Sequence, residues 1–425
     1  MNPDVYAELE WRGLVHQSTD PALGEHLQSE TFTAYGGFDP TGPSLTTGHL
    51  LQLIRLRRLQ EAGHRVIALA GGGTGLIGDP GGRETERPLL TREEIEENVE
   101  RMRPQIENLL DFSAPGGAVL LNNADWLSDL GAMDFLRDVG KHFTVNWMVA
   151  KESVKARFED REQGISFTEF SYMLLQSYDY LWLYDHEGCR LQVGGSDQWG
   201  NITAGIELIR RARGAQAYGL TSPLILNAAG RKMSKSEGEA VWLDAEMTSP
   251  YLFYQDWLNT DDARVVQLLK FYTFLSRDEV EALADQVENE PSLRQAQRIL
   301  AEELTRLVHG DDELRRAKEA SQALFSGEVR DLDERTLLEV FKDAPSSELP
   351  QEELNSEVPL TELLVRLGLS KSKAEARTHI EGGGITINSE KVSDVDASVT
   401  RDHLLFGRYL LVRRGKRTYH LVKCG

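Results

Sequence analysis

The chain has 425 residues and 47.7 kDa, enough for about three domains, and its 40% apolar content supports more than one packed core. Its 47 basic and 68 acidic side chains leave a net charge of −21, which excludes a general basic coat for a polyanion but allows a local basic face. Two cysteines, Cys189 and Cys424, exclude a disulfide scaffold and a multi-thiolate metal site, and no run approaches the ~20 apolar residues of a membrane span.

Met1–Trp11 carries acids and lacks the basic-then-apolar order of a secretion signal, so a soluble cytoplasmic protein without a membrane partner is expected. Phe32–Phe38 reads as the first strand and Leu50–Leu59 as a helix with an apolar stripe. Val66–Ala70 is the next strand and runs into Gly71-Gly72-Gly73. Ala118–Leu121, Arg190–Val193 and Leu220–Leu226 follow as strands, with a helical insertion at about 127–185. Strand, helix, strand order over residues 1–245 implies a parallel sheet. Residues 246–325 lack strand signals and read as helices, Arg294–His309 among them. Residues 326–357 hold ten acids and three bases, broken by Pro345-Ser346-Ser347 and Pro350. That composition predicts an acidic linker with one short helix around Leu337–Phe341. Residues 358–425 reverse the sign, with twelve bases and seven acids.

Two segments carry the chemistry. Tyr35-Gly36-Gly37-Phe38-Asp39-Pro40-Thr41-Gly42-Pro43-Ser44-Leu45-Thr46-Thr47-Gly48-His49-Leu50 joins the first strand to the first helix. Its glycines admit a ligand to the backbone, and a helix N-terminus offers free N–H groups to an anion. Far downstream, Gly230-Arg231-Lys232-Met233-Ser234-Lys235-Ser236-Glu237-Gly238 is a polar loop with the donors to wrap a triphosphate. The pair resembles the HIGH and KMSKS signatures of class I aminoacyl-tRNA synthetases. The second matches letter for letter, whereas the first reads Thr46-Thr47-Gly48-His49, with threonine for the leading histidine. Three more segments narrow the resemblance: Gly71 to Pro80, Tyr172-Met173-Leu174-Leu175-Gln176-Ser177-Tyr178-Asp179, and Gly194-Gly195-Ser196-Asp197-Gln198-Trp199-Gly200-Asn201. Together they resemble the bacterial tyrosyl-tRNA synthetases, from about Trp11 to the last residue.

The resemblance implies a Rossmann-like doubly wound α/β catalytic domain with a helical insertion. An α-helical anticodon-side domain and a small α+β RNA-binding domain follow. It also implies a role for each motif residue. Tyr35 and Asp179 would bond the phenol of tyrosine, and a site built around that hydroxyl rejects phenylalanine without editing. Asp79, Tyr172 and Gln176 would hold the ammonium, and Gln198 would lie near the reacting carboxylate. Gly37 and Asp39 resemble the backbone beside the α-phosphate. Asp197 and Gly195 would receive the ribose. Thr41, Thr46, Gly48 and His49 would serve the ATP phosphates and adenine side. Lys232, Met233, Ser234 and Lys235 would contact ATP, with the two lysines clamping pyrophosphate. Because threonine cannot become a cation, this chain is expected to lean more heavily on Lys232, Ser234 and Lys235. ATP with Mg²⁺ is the expected co-substrate, with no resident protein metal site.

The basic tail resembles a small RNA-binding domain shared with some ribosomal proteins. Lys371, Lys373, Arg377, Lys391, Arg413, Arg414, Lys416 and Arg417 are its candidates for contact with tRNA. Such contacts are phosphate-dominated and salt-sensitive. The resemblance further implies a homodimer joined at the insertion, with Phe167 as an interface aromatic or an ordinary core residue. Two other readings stay open on residues alone. One is an adenylyltransferase acting on a small molecule, suggested by the T-x-G-H form; the other is an RNA-binding relative without activation chemistry.

Overall fold

A computed structural model gives the fold and describes residues 4–79, 89–113, 116–151, 154–155, 164–225, 240–326, 329, 332–342, 344–415 and 418–425. Two compact units divide it: Met1–Thr248 with Thr260–Val308, and Ser249–Asn259 with His309–Gly425. The helical stretch expected at 246–325 is therefore shared between the units rather than forming a third.

The first unit is built on a six-stranded sheet. Its strands are β1 (Gln17–Ser18), β2 (Thr33–Phe38), β3 (Arg65–Ala70), β4 (Val119–Asn122), β5 (Cys189–Gly195) and β6 (Tyr218–Ser222). The order is β1-β6-β5-β2-β3-β4, and all neighbours except the β1–β6 pair are parallel. Parallel strands are covered on both faces, so they read as nearly continuous apolar runs, as in Val66–Ala70, where every residue is buried. The chain winds outward through β2, β3 and β4, then crosses back to lay β5 on the other side of β2. In such sheets a crevice opens beyond the carboxyl ends of the two strands at the reversal, here β2 and β5. The two-residue strand β1 was not expected, because so short a segment has no periodicity to read.

Two helices bring side chains to that crevice. The helix Thr47–Glu61 leaves β2 directly after the Thr46 cap. It is buried nearly all round, because the sheet lies on one side and the helix Asp262–Tyr272 on the other; Tyr272 Oη donates to the Thr47 carbonyl at 2.9 Å. The helix Phe167–Glu187 starts at Ser166, whose hydroxyl accepts from Glu169 N, and stops at Gly188 in the left-handed region (φ 62°). Tyr172, Gln176 and Asp179 then stand four and three residues apart, on one face of the helix. The part of the insertion before it is less regular than expected, a series of short turns between Ala124 and Val149.

The second unit holds the helix Pro250–Leu258, the end of the helix Gln295–Ser326, which is broken at Gly310 (φ 86°), and the basic tail. The tail forms a five-stranded sheet with Thr418–Cys424 inside it and the helices Leu360–Arg366 and Lys373–Glu381 packed against it. Asn388 and Ser389 both have positive φ (48° and 74°), the hairpin turn that joins Ile385–Ile387 to Glu390–Val392. The expected linker departs from expectation here. Ser346–Leu349 pairs in parallel with Thr418–Cys424, and Val358–Pro359 pairs with Ser398–Val399. Leu349 and Leu354 join the core of this unit. The small domain thus begins within the acidic stretch, and the short helix near its start is Glu334–Val340.

Candidate active site

A cavity of about 340 Å³ opens where the β2–β5 reversal places it. Tyr35, Gly37, Asp39, Thr41, Thr46, Gly48, His49, Asp79, Tyr172, Gln176, Asp179, Gly195, Asp197 and Gln198 all line it. Residues more than 160 positions apart in sequence therefore meet at one site, as the motifs anticipated. Lys232, Met233, Ser234 and Lys235 lie outside the described residues. Both flanks of that stretch border the site, however: Leu224 and Ile225 line the cavity, and Trp242 forms a β-bridge with Thr46.

One end of the cavity is a closed polar network. Tyr172 Oη donates to Asp39 Oδ2 at 2.8 Å, and Thr74 Oγ1 donates to Asp39 Oδ1 at 2.9 Å. Asn123 Nδ2 reaches both Thr74 Oγ1 and Asp179 Oδ2 at 2.9 Å, while Trp126 Nε1 donates to Asp179 Oδ1 at 2.7 Å. Trp126 is itself clamped by Trp182, their rings stacked at 4.0 Å and 10°, and Trp182 stacks on His186 at 4.2 Å. Asp179 is fully buried, and that burial lifts its carboxyl to about 7 against the pull of the Asn123 and Trp126 hydrogen bonds. The Tyr35 hydroxyl lies in the field of Asp179. Burial first, and that charge second, hold its pKa well above the ordinary tyrosine value. It remains a neutral donor, and it has no hydrogen-bond partner among the described residues. Gln176 Oε1 is likewise buried without a partner among them. Unspent buried polar atoms cost stability unless a ligand answers them, so this end suits a ligand carrying its own hydroxyl and cation. Gln198 Nε2 meets Asp79 Oδ2 at 2.5 Å, which joins two further expected site residues.

The other end is more open. A Cβ added to Gly37 would touch nothing within 4 Å, so the backbone there is free to approach a ligand. Thr46 N is bonded to His49 Nδ1 at 3.1 Å, a reciprocal cap on the helix Thr47–Glu61. The Thr46 hydroxyl lies 3.3 Å from the same His49 nitrogen, so the threonine at this position takes part in the cap.

The sequence alone does not point to several residues here. Thr74 lies inside the segment Gly71 to Pro80, whose pattern assigns it no role. Asn123 and Trp126 follow the carboxyl end of β4, which is where such folds place ligand-binding residues. The backbone at Asp39 is expected beside the α-phosphate; its carboxylate also accepts from Tyr172 and Thr74.

The basic candidates of the tail divide by surroundings. Lys371, Arg377 and Lys391 are exposed. Lys373 is ion-paired to Glu362 at 2.8 Å. Arg414 Nη1 donates to the Leu369 carbonyl at 2.6 Å, and Arg413 lies over the Tyr419 ring. These two arginines shape the domain as well as charging it. Lys416 and Arg417 lie outside the described residues.

Comparison with known proteins agrees with this geometry. Residues 27–326 match the family model for class I tRNA synthetases (W and Y), and residues 336–422 match the tyrosine–tRNA ligase SYY-like C-terminal domain. The chain is 53% identical over 423 residues to the tyrosine–tRNA ligase of Geobacillus stearothermophilus, covering 99% of each. It is 49% identical over 423 residues to tyrosine–tRNA ligase 1 of Bacillus subtilis, again covering 99% of each. Among solved structures it is similar to a C-terminally truncated mitochondrial tyrosyl-tRNA synthetase of Aspergillus nidulans. That match has a TM-score of 0.68 and 30% identity, and it covers 76% of this chain and 94% of that one.

Proposed function

We propose that this chain, which belongs to the tyrosyl-tRNA synthetase family of class I aminoacyl-tRNA synthetases, reads its amino acid through Tyr35 and Asp179 and activates it by positioning alone. The reaction is the ATP-driven ligation of tyrosine to tRNA. The observation that carries the residue assignment is the buried, unspent Tyr35 hydroxyl in the field of Asp179. Phenylalanine would leave the Tyr35 hydroxyl unanswered and bring no donor to Asp179, which is a large penalty in a dry site.

In this reading Asp79, Gln176 and Tyr172 hold the ammonium, since oxygen acceptors beside a carboxylate suit a cation. The tyrosine carboxylate attacks the α-phosphorus in line. The bond to the bridging oxygen breaks, and pyrophosphate leaves with the electron pair. Charge grows on the departing phosphates, where His49, the amino end of Thr47–Glu61, Lys232 and Lys235 answer it. Gly195 and Asp197 receive the ribose. Mg²⁺ enters with ATP as part of the substrate. A ribose hydroxyl of tRNA then attacks the adenylate carbonyl, and AMP departs. No covalent enzyme intermediate is needed, so catalysis rests on orientation and fixed charge.

The tRNA lies along the exposed Lys371, Arg377 and Lys391, with affinity that falls steeply as salt rises. A homodimer forms on the insertion, where Met133, Leu136, Val145 and Phe167 are exposed apolar side chains. The exposure of Phe167, at 75%, speaks against a core role for it. Two buried free cysteines suit a cytoplasmic, reducing setting. Tyrosine-dependent ATP–pyrophosphate exchange, followed by charging of tRNA, tests the reading. Exchange that ignores tyrosine, or that accepts phenylalanine equally, would overturn the assignment of Tyr35 and Asp179.

A further inference from the structure

Two side chains in the cavity have no part in the reaction as described above. Gln52 and Arg55 lie one turn apart on the helix Thr47–Glu61, both line the cavity, and they are only 8% and 3% exposed. Gln52 Nε2 donates to the Val193 carbonyl at 2.7 Å, and Arg55 Nη1 donates to the Gly194 carbonyl at 2.7 Å. Arg55 Nη2 also donates to Gln52 Oε1, which locks the two side chains together. The pair therefore fastens the helix to the last residues of β5, just before Gly195 and Asp197.

Arg55 is unusual in its partners. A guanidinium has five donors; among the described residues Nη1 and Nη2 meet neutral oxygens and Nε has no partner. Burial lowers its pKa to about 10, opposed by the charge of Asp197, so it stays a cation at neutral pH. Among the described residues no carboxylate is paired with it; a buried cation so placed costs stability, and a polyanion in the adjoining cavity would offset that cost. Space for the pair comes from Gly36. A Cβ at that position would collide with Gln52 Nε2, and Gly36 is not among the positive-φ glycines, so it serves for room and not for conformation.

We propose that Gly36, Gln52 and Arg55 act as one nucleotide-positioning unit. Seated in the room left by Gly36, the Gln52–Arg55 pair pins the Val193–Gly194 carbonyls, so that Gly195 and Asp197 meet the ribose in register, and holds a fixed positive charge beside bound ATP. All three are positioning residues, and the inference rests on the reading that this cavity takes ATP.

The test is steady-state pyrophosphate exchange with ATP and tyrosine varied separately. Arg55→Met should raise the KM for ATP about tenfold while the KM for tyrosine stays within about twofold, and Arg55→Lys should recover part of the loss. Gly36→Ala, which leaves Arg55 in place, should move the same constant in the same direction. Adding Gln52→Ala to Gly36→Ala should cost nothing more, because the pair is already displaced. Equal rises in both KM values, or an unmoved KM for ATP in Gly36→Ala, would overturn the proposal. Should Arg55→Met fail to fold, the Gly36 and Gln52 variants decide the matter alone. A wild-type protein without tyrosine-dependent exchange would instead remove the functional reading beneath it.

Discussion

The two ends of the cavity are built on different principles. At the end proposed to take tyrosine, side chains answer side chains: Tyr172, Asp39, Thr74, Asn123, Asp179 and Trp126 form one hydrogen-bonded chain. At the end proposed to take the nucleotide, the described residues supply glycines, backbone carbonyls, a helix cap and the buried Arg55. The difference follows from the tasks. Telling tyrosine from phenylalanine depends on one hydroxyl, so the groups that meet it must already be oriented. Moving a phosphoryl group demands donors and room, because charge shifts during the step.

If this division is real, damage at one end should leave the other nearly intact. The largest effect is expected for Asp179→Asn, which keeps the shape and removes the charged acceptor. The kcat/KM for tyrosine should fall about 10²–10³-fold in pyrophosphate exchange, with discrimination against phenylalanine collapsing and the KM for ATP within about twofold. A comparable rise in the KM for ATP would break the comparison. Trp126→Phe is subtler: it keeps a ring against Trp182 but deletes the donor to Asp179. A fall of about tenfold in kcat/KM for tyrosine is expected, again with ATP unmoved.

The pH dependence sharpens the same point. The Asp179 carboxyl titrates near 7 in the free protein, so kcat/KM for tyrosine should rise with pH through about 7 and level off above it. Trp126→Phe removes a hydrogen bond that favours the anion, so its midpoint should move upward. An unchanged midpoint would separate the Trp126 contact from tyrosine binding. The sign for stability is opposite to that of a paired carboxylate. Between about 4 and about 7 the folded protein holds a proton that the unfolded chain has lost, so this group makes the fold less stable as pH rises through that window. The smallest effect belongs to Thr46→Ala at the nucleotide end. Loss of the cap should lower stability by about 1 kcal/mol in urea titrations, with the KM for tyrosine unaffected.

What the sequence disclosed follows the same line. Motifs with several fixed letters marked almost the whole rim of the cavity, because a ligand constrains neighbouring positions together. Asn123 and Trp126 were invisible, as single residues whose meaning comes from a helix more than 50 positions away. Arg55 was hidden inside an apolar helical stripe. A cation in such a pattern reads as the solvent face, whereas here it turns inward and donates to the Gly194 carbonyl at the end of β5. The acidic stretch misled for a related reason. Its composition describes coil, whereas Ser346–Leu349 finds its partner strand about 70 residues later, and no local property of the sequence encodes that pairing.

The stack of Trp126, Trp182 and His186 also makes the tyrosine end visible to light. Two indoles stacked 4.0 Å apart with nearly parallel planes couple their excited states, so the near-ultraviolet dichroism of this protein should carry a signature from that pair. Its outer member lies against an exposed imidazole, and its inner member is bonded to the carboxylate expected to meet the substrate. A phenol settling beside Asp179 therefore disturbs this chromophore through Trp126. The site holds a native optical probe and needs no label.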